Sequence, residues 1–380
     1  MTYSVYQHWD PLRVCVVGRS YPPEFYSWIQ VPHVRHLFER IARETEEDYQ
    51  NIIKKLESFG VTILRPDLGV IAMTDNKFTP PPMTPRDTMV MIGEKFYTPM
   101  FNWNAFYMAV KDPSWPWYDS WDHFQAKAES WQIEELKTLH RIDNVLSCWD
   151  LRYQSIIKHI KSQGNSVKSF DKKLVNGAMV SRIGRDLYFG THVYDQDQTA
   201  LKQIIDVEFP NTRNHVVNTG GHGDGTYCPV CPGLIISLND IPTYRDTFPG
   251  WEVVYLPHQS WAKVQSFLHL KEKNQGRWWI PGWEYDQSVI NVVETWLSHW
   301  VGYIEETVFD VNMLIIDPKN VMVFNENDLV FDALGRYGIT PHVVPFRHRY
   351  FWDGGIHCVT LDLDREGVMQ DFFPERGDIR

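Results

Sequence analysis

The chain has 380 residues, of which 43% are hydrophobic, enough to bury a large core in one domain or two. Its 37 basic and 48 acidic residues give a net charge of −11, whereas nucleic-acid-binding proteins normally carry a basic surface. No apolar run is long enough to span a membrane, and the first ten residues lack the pattern of a secretory signal. We therefore expect neither a nucleic-acid nor a membrane partner. Five scattered cysteines, an odd number, are typical of a reducing compartment and predict a cytoplasmic protein.

Short runs rich in β-branched residues alternate with amphipathic helices, which predicts an α/β fold. Strands are predicted, in chain order, at 14–18, 61–65, 88–93, 186–190, 215–218, 234–237, 252–256, 313–317, 321–324, 342–346 and 358–363. Helices are predicted at 33–59, 126–137, 148–162, 198–205, 261–268, 286–301 and 326–337. No Gly/Ser-rich linker or charge run divides the chain, so residues 1–380 are expected to form a single domain.

Three segments carry residues capable of chemistry. Cys358 follows Gly354-Gly-Ile-His, where two glycines allow a tight backbone and leave room for a substrate, although for this motif alone a buried cysteine that begins a core strand is the favoured interpretation. His222 and Asp224 lie in a glycine-rich loop between two strands, which could instead be an Asx turn. Asp87 follows Arg86 just before a strand, where a surface ion pair is the simplest interpretation.

Two further cysteines form Cys228-Pro-Val-Cys231, a spacing compatible with a redox dithiol or with half of a zinc site. Because the chain has no second such pair and the run enters an apolar strand, we interpret both thiols as structural. A metal site built from them with His222 and Asp224 is the less favoured alternative. Walker A, dinucleotide-binding Gly-x-Gly-x-x-Gly and Gly-x-Ser-x-Gly patterns are absent, which disfavours nucleotide, flavin and serine-hydrolase functions.

Taken in order, these motifs resemble the amidinotransferase family of the pentein superfamily. The resemblance runs through most of the chain and is carried by segments 9–18, 60–66, 83–93, 182–188, 222–226, 232–239 and 354–360. Each motif is weak alone, but the ordered set is specific. It implies an α/β pentein fold, with five ββαβ-like modules around a pseudo-fivefold axis and the active site in the central channel.

The resemblance also implies residue roles. Asp87 and Asp224 would clamp the guanidinium of arginine by charge-assisted hydrogen bonds, and Cys358 would attack its carbon as a thiolate. His222 would protonate the departing ornithine and then take a proton from an amine acceptor. Such a ping-pong cycle through a covalent amidino-cysteine needs no metal or organic cofactor. The expected partners are therefore small molecules, and because family members are often dimeric, a homodimer is allowed.

The sequence departs from the family pattern at the partner of the catalytic histidine. Asn176 stands where family members have a carboxylate, and an amide can orient an imidazole but cannot offset its positive charge. Asn176 therefore keeps open a catalytically silent guanidine-binding protein. Hydrolysis with water as the acceptor, as in deiminase or dihydrolase relatives, is a second alternative, because the two reactions differ in whether water is excluded at the second step.

A second departure concerns the residues that would bind the substrates. Glycine-specific members bind a substrate carboxylate with an arginine where this chain has Ile241, and Arg245 lies four positions later. Glu305 and Glu306 replace paired serines ahead of Asn312, which the resemblance assigns to substrate binding. The two glutamates would suit a cationic acceptor, and the identity of that acceptor stays open.

Overall fold

A computed structural model of the chain describes residues 2–68, 73–74, 77–78, 80–99, 153–170, 177–191, 198–219, 222–238, 244–256, 280, 282–283, 285–297, 308–352 and 354–377. Its strands are β1 (Leu12–Val17), β2 (Thr62–Leu64), β3 (Met73–Thr74), β4 (Lys77–Phe78), β5 (Val90–Ile92), β6 (Lys95–Pro99), β7 (Ser166–Phe170), β8 (Val180–Ile183), β9 (Asp186–Thr191), β10 (Arg213–Asn218), β11 (Tyr227–Cys231), β12 (Leu234–Ser237), β13 (Glu252–Tyr255), β14 (Leu314–Asp317), β15 (Asn320–Val323), β16 (Thr340–Val343) and β17 (Thr360–Arg365).

The helices are α1 (Pro32–Ser58), α2 (Gln154–Ser162), α3 (Gln198–Glu208), α4 (Tyr244–Thr247), α5 (Gln287–Val292), α6 (Val308–Val311), α7 (Asp328–Arg336) and α8 (Arg349–Trp352). A π-helical turn, Val293–Leu297, continues α5. Short 3-10 helices occupy Pro23–Trp28, Pro85–Asp87, Gly177–Met179, Gly223–Gly225 and Pro374–Arg376. Among these described elements, no helix is long and apolar enough to cross a membrane.

One arrangement of strands occurs five times in the described part of the chain. In four sheets, two consecutive strands pair antiparallel and a helix then leads to a third strand parallel to the second; these are β5-β6-β7, β8-β9-β10, β11-β12-β13 and β14-β15-β16. In the fifth sheet, β17 pairs antiparallel with β1, which lies parallel to β2 after α1. The five ββαβ-like modules that the resemblance implies are therefore present, and the first is completed by the last strand.

Local sequence explains α1, the longest described helix. Pro32 occupies its first turn, where a missing N–H costs no hydrogen bond, and Gly60 follows its end with φ +78°. Its buried stripe recurs every three to four residues and includes Leu37, Phe38, Ile41, Ile52, Ile53 and Leu56. These side chains pack in the largest apolar cluster together with residues from β1, β14 and β15.

The eleven predicted strands are all present, but several others were not predicted. Strands β6, β7, β8 and β11 combine polar residues or prolines with few β-branched ones, as in Lys95–Pro99 and Tyr227–Cys231, so the pattern does not reveal them. The predicted helices 126–137 and 261–268 lie outside the described residues. The strand predicted to begin at Cys358 begins instead at Thr360, because the Val359 N–H bonds to Gly355 O and closes a turn around the thiol.

A carboxylate surrounded by three guanidinium groups lies between these sheets. Asp362 accepts hydrogen bonds from Arg86 (2.8 Å), Arg182 (2.8 and 2.9 Å) and Arg365 (2.6 Å), and all four side chains are buried. Burial alone would raise the pKa of Asp362, but Arg182, Arg86 and Arg365 hold it well below its usual range. Asp362 is therefore ionised and offsets the charge of cations that belong to separate elements.

The same arginines bind backbone carbonyls of other modules. Arg182, on β8, donates to Met91 O of β5 at 2.7 Å. Arg365, on β17, donates to Ile315 O of β14 at 2.9 Å and to Asp10 O at 2.7 Å. Four of the five sheets are thus joined through one group of buried charges.

Replacing Asp362 by Asn should lower the free energy of unfolding by about 3–5 kcal/mol, since it leaves three buried guanidinium groups without their counter-ion. The measurement is urea unfolding followed by circular dichroism. Asp364→Asn, on the same strand but bonded to a single backbone N–H of Ser4, is the matched control and should cost about 1 kcal/mol or less. Equal losses in the two variants would show that the ion cluster contributes nothing specific.

Candidate active site

Cys358 lies in the turn that precedes β17. The turn is held from outside by Arg86, whose Nε donates to His357 O at 3.1 Å and to Thr360 O at 3.2 Å. The thiol is only 4% exposed. The backbone on both sides of the nucleophile candidate is therefore attached to the buried cluster around Asp362.

Asn312 determines how the thiol is oriented. Its Oδ1 accepts the N–H groups of His357 (2.8 Å) and Cys358 (3.1 Å), and these two donors identify the oxygen side of the amide. Its Nδ2 must then donate, and it does so to Asp224 O at 3.1 Å and to Cys358 Sγ at 3.2 Å. The amide is fully used within the protein, so Asn312 positions the sulfur, and binding substrate directly would break one of these bonds.

The space beside Gly355 is filled by protein. A Cβ added to Gly355 would lie 2.3 Å from Asn312 Oδ1. The glycine is needed because the Asn312 side chain approaches its backbone closely. The expectation that this glycine leaves room for a substrate is therefore wrong.

Asp224 lies next to the sulfur, in the 3-10 helix that precedes β11. Its Oδ2 accepts from His357 Nδ1 at 2.8 Å and is 3.6 Å from Cys358 Sγ. Burial, and secondarily the negative charge of Asp87, raise the pKa of Asp224 to about 6, although His222 acts in the opposite direction. Asp224 is therefore mostly ionised at neutral pH and gains a proton under mildly acidic conditions.

Asp87 and His222 form the more solvent-exposed side of the candidate active site. Asp87 ends the 3-10 helix before β5, and His222 caps the helix that contains Asp224. His222 Nδ1 is 3.9 Å from Asp87 Oδ1, and the imidazole side chain is 41% exposed. A cation that entered here would meet Asp87 and Asp224 together.

Electrostatics keep the Cys358 thiol protonated in the free protein. Burial raises its pKa well above the usual value, and the charges of Asp224 and Asp87 raise it further, while the Asn312 donor lowers it. His357 cannot supply a compensating charge, because burial and the nearby Arg86 and His8 lower its pKa well below the usual range. A reactive thiolate therefore requires a positive charge that His357 does not supply, from protonated His222 or from a bound cation.

Four of the seven predicted site residues, Cys358, His222, Asp224 and Asp87, come together, and Asn312 joins them in the positioning role described above. Arg245 is exposed on α4, and no hydrogen bond or ion pair within the described ranges joins it to the group. Asn176 lies outside the described residues, so its role stays a prediction.

The Cys228–Cys231 segment forms β11 and pairs with β12. Both thiols are buried, which raises their pKa to about 12 for Cys228 and about 11 for Cys231. Within the part of the chain that the structure describes, no group of three or more potential metal ligands is found. The burial of both thiols within a paired strand agrees with interpreting these cysteines as structural.

Sequence reasoning missed two contributors to the site, His357 and Arg86. His357 directly precedes the predicted nucleophile, and Arg86 directly precedes Asp87. Their position next to predicted site residues was the available signal. The partner of His357 is Asp224 and that of Arg86 is Asp362, and each partner lies more than 100 positions away in sequence. A local pattern does not contain such pairings.

Known proteins are similar to this chain over nearly its whole length. No protein-family model matches the chain. The mitochondrial glycine amidinotransferase of Xenopus tropicalis is 23% identical over 415 residues, which cover 97% of this chain and 84% of that protein.

Two solved structures are similar in fold. An amidinotransferase of the saxitoxin biosynthetic pathway, from Microseira wollei, has a TM-score of 0.61 at 17% identity and covers 98% of this chain and 99% of its own. Inosamine-phosphate amidinotransferase from Streptomyces griseus has a TM-score of 0.59 at 17% identity, with coverage of 97% and 99%. The predicted pentein fold is therefore confirmed. The resemblance to amidinotransferases that the ordered motifs predicted is confirmed as well, and the similarity in sequence to curated amidinotransferases indicates that this chain is a transferase.

Proposed function

We propose that this protein transfers the amidino group of L-arginine to an amine acceptor through a covalent amidino-Cys358 intermediate and releases ornithine. The observation that carries the proposal is the convergence of a thiol, two carboxylates and a histidine. Asp224 lies 3.6 Å from Cys358 Sγ, and the charges of Asp87 and His222 act on the same carboxylate. A guanidinium ion requires carboxylate partners, its carbon requires a strong nucleophile, and its leaving amine requires a proton.

The resting charges support a substrate-dependent activation of the thiol. Asp224 and Asp87 both raise the pKa of Cys358 in the free protein. A guanidinium held between them neutralises part of their charge and adds its own, so the thiol pKa falls when the substrate binds. Substrate binding and thiolate formation are then coupled, and the free enzyme stays protected from adventitious alkylation or oxidation.

The chemical steps balance without a redox partner. When the guanidinium binds, the Cys358 thiol loses its proton to solvent, and it regains one when the product leaves. The thiolate forms a bond to the guanidinium carbon, the bond from that carbon to the ornithine nitrogen breaks, and protonated His222 gives the leaving amine a proton. In the second half of the cycle, the acceptor amine attacks the same carbon and His222 takes a proton from that amine. The sulfur–carbon bond then breaks and Cys358 leaves as a thiolate. Asn312 Nδ2, 3.2 Å from Sγ, donates to the thiolate before and after the covalent stage.

Several narrower features of the proposal stay predictions. They are the roles of Asn176 and Arg245, the identity of the acceptor, a single domain over residues 1–380, a homodimer and a cytoplasmic location. With water as the acceptor the same covalent chemistry would give a hydrolase, and exclusion of water at the second step is what separates the two reactions.

We expect labelled arginine to leave an amidino adduct on Cys358, detected by intact mass and peptide mapping. Ornithine should then appear only when an amine acceptor is supplied. Cys358→Ser should bind arginine but form no adduct, while Cys231→Ser is the control for a buried thiol outside the site and should react like the parent. If citrulline or ammonia forms without an added amine, the reaction is hydrolysis and not amidino transfer. A folded protein that gives neither an adduct nor a product would contradict both reactions.

Replacing Asp87 by Asn should change thiol reactivity and turnover in opposite directions. Removing a negative charge lowers the thiol pKa of the free enzyme, so alkylation of Cys358 by iodoacetamide at pH 8 should become several-fold faster. Turnover of arginine should fall by about 10²-fold, because one arm of the guanidinium clamp is lost. Asp328→Asn, at an exposed position on α7, should change neither rate. A slower alkylation in Asp87→Asn would contradict this account of the thiol pKa.

Asn312→Ala should lower kcat by about 10²-fold, because the sulfur loses a hydrogen-bond donor and the turn around it loses an anchor. The KM for arginine should change less than about threefold, and the thiol pKa measured by alkylation should rise. A large increase in KM with an unchanged kcat would instead support direct substrate binding by Asn312.

A further inference from the structure

A small buried cavity adjoins the active site. Asp224 and His357 form part of its wall, whereas Cys358 does not line it. Its volume is about 20 Å³, and all the residues around it are buried. A water molecule needs about 10–15 Å³ measured in this way, so the cavity has room for a water.

Polar groups converge on this cavity from several elements. Asp224 Oδ1 is buried and has no hydrogen-bond partner in the described part of the chain, although its other oxygen is bonded to His357. The hydroxyl of Tyr227, on β11, is likewise buried, and its polar neighbour among the described residues is the side chain of Ser181. Ser181 of β8 and His8 complete the polar part of the wall. Buried polar oxygens in folded proteins are almost always bonded, and the residues that carry these two oxygens line one water-sized space.

We propose that this cavity is a water-binding site whose water bonds to Asp224 Oδ1 and to the hydroxyl of Tyr227, and so keeps Asp224 ionised for guanidinium binding. The inference rests on the proposed function for its biological meaning, but not for the binding of the water. Tyr227 is then a positioning residue, since it acts on the substrate only through the water and Asp224.

The direction of the effect follows from the groups around Asp224. Cys358, His357, Asp87, His222 and Arg86 surround it on the active-site side, and His8, Arg365, Tyr227 and Cys228 line the cavity. His8 stays neutral, because burial and the charge of Arg182 lower its pKa well below the usual range. Its Nε2 accepts a hydrogen bond from the backbone N–H of Arg182 at 3.1 Å. A donor on Asp224 Oδ1 favours the ionised carboxylate, and removing that donor raises the carboxylate pKa.

Tyr227→Phe tests the proposal, because it removes the hydroxyl and leaves the shape of the side chain. The acid limb of the pH profile of kcat/KM should move up by about half a pH unit to one unit. The plateau above pH 8 should stay within about twofold of the parent. Tyr188→Phe is the control: it lies in the same apolar cluster, but its hydroxyl bonds to Thr247 O, away from the cavity, and its profile should match that of the parent.

Two readouts do not depend on turnover. The rate of Cys358 alkylation against pH should show an inflection where Asp224 titrates, and Tyr227→Phe should move that inflection upwards. A high-resolution crystal structure of the parent should show ordered water within hydrogen-bond distance of Asp224 Oδ1. A dry cavity, or an unmoved inflection in folded Tyr227→Phe, would overturn the inference even if amidino transfer is established. Water in place with a moved inflection would support it even if no transferase activity is found.

Discussion

The structure depends on a single carboxylate, Asp362, which offsets three buried guanidinium groups. Without it, Arg86, Arg182 and Arg365 would be cations in a medium that solvates them poorly. Other donors of these arginines bind carbonyls on other sheets and on the turn around Cys358. The same charges that join the modules therefore determine where the sulfur lies. The central cluster carries an excess of positive charge, whereas the substrate side of the site carries carboxylates, and the turn with the thiol separates the two.

That separation explains how the site controls its nucleophile. The positive cluster is occupied by Asp362 and by carbonyl oxygens, so it acts on His357 more than on the sulfur. Cys358 instead responds to Asp224 and Asp87, which oppose its ionisation until a cation arrives. Under the proposed function, such a site would select cationic substrates by charge before it selects them by shape. Neutral ureas or amides would leave the thiol protonated.

Much of the fold could be predicted because its signals are local. Runs such as Leu234–Ser237 and Leu314–Asp317 are apolar and β-branched, and α1 has an unmistakable stripe. The ordered motifs also brought Cys358, His222, Asp224 and Asp87 into one site. The roles of Asn312, His357 and Arg86 could not be predicted, because each is defined by partners that only tertiary packing supplies. Strand β11, with a proline between two cysteines, was not predicted because its residue types disfavour a strand. It forms a strand nevertheless, because all of its residues are buried.

The pairing of β17 with β1 has a consequence for how the enzyme is made. The sheet that contains the first strand stays incomplete until a segment about 350 residues later has been synthesised, and no other pairing between the described strands joins segments so distant in sequence. Contacts of such long range close late, because the entropy of a large loop must be overcome first. Asp362 belongs to that same last strand, and so the thiol, its turn and the central counter-ion arrive together. We therefore expect Cys358, the proposed nucleophile, to reach its place in the step that completes the first sheet.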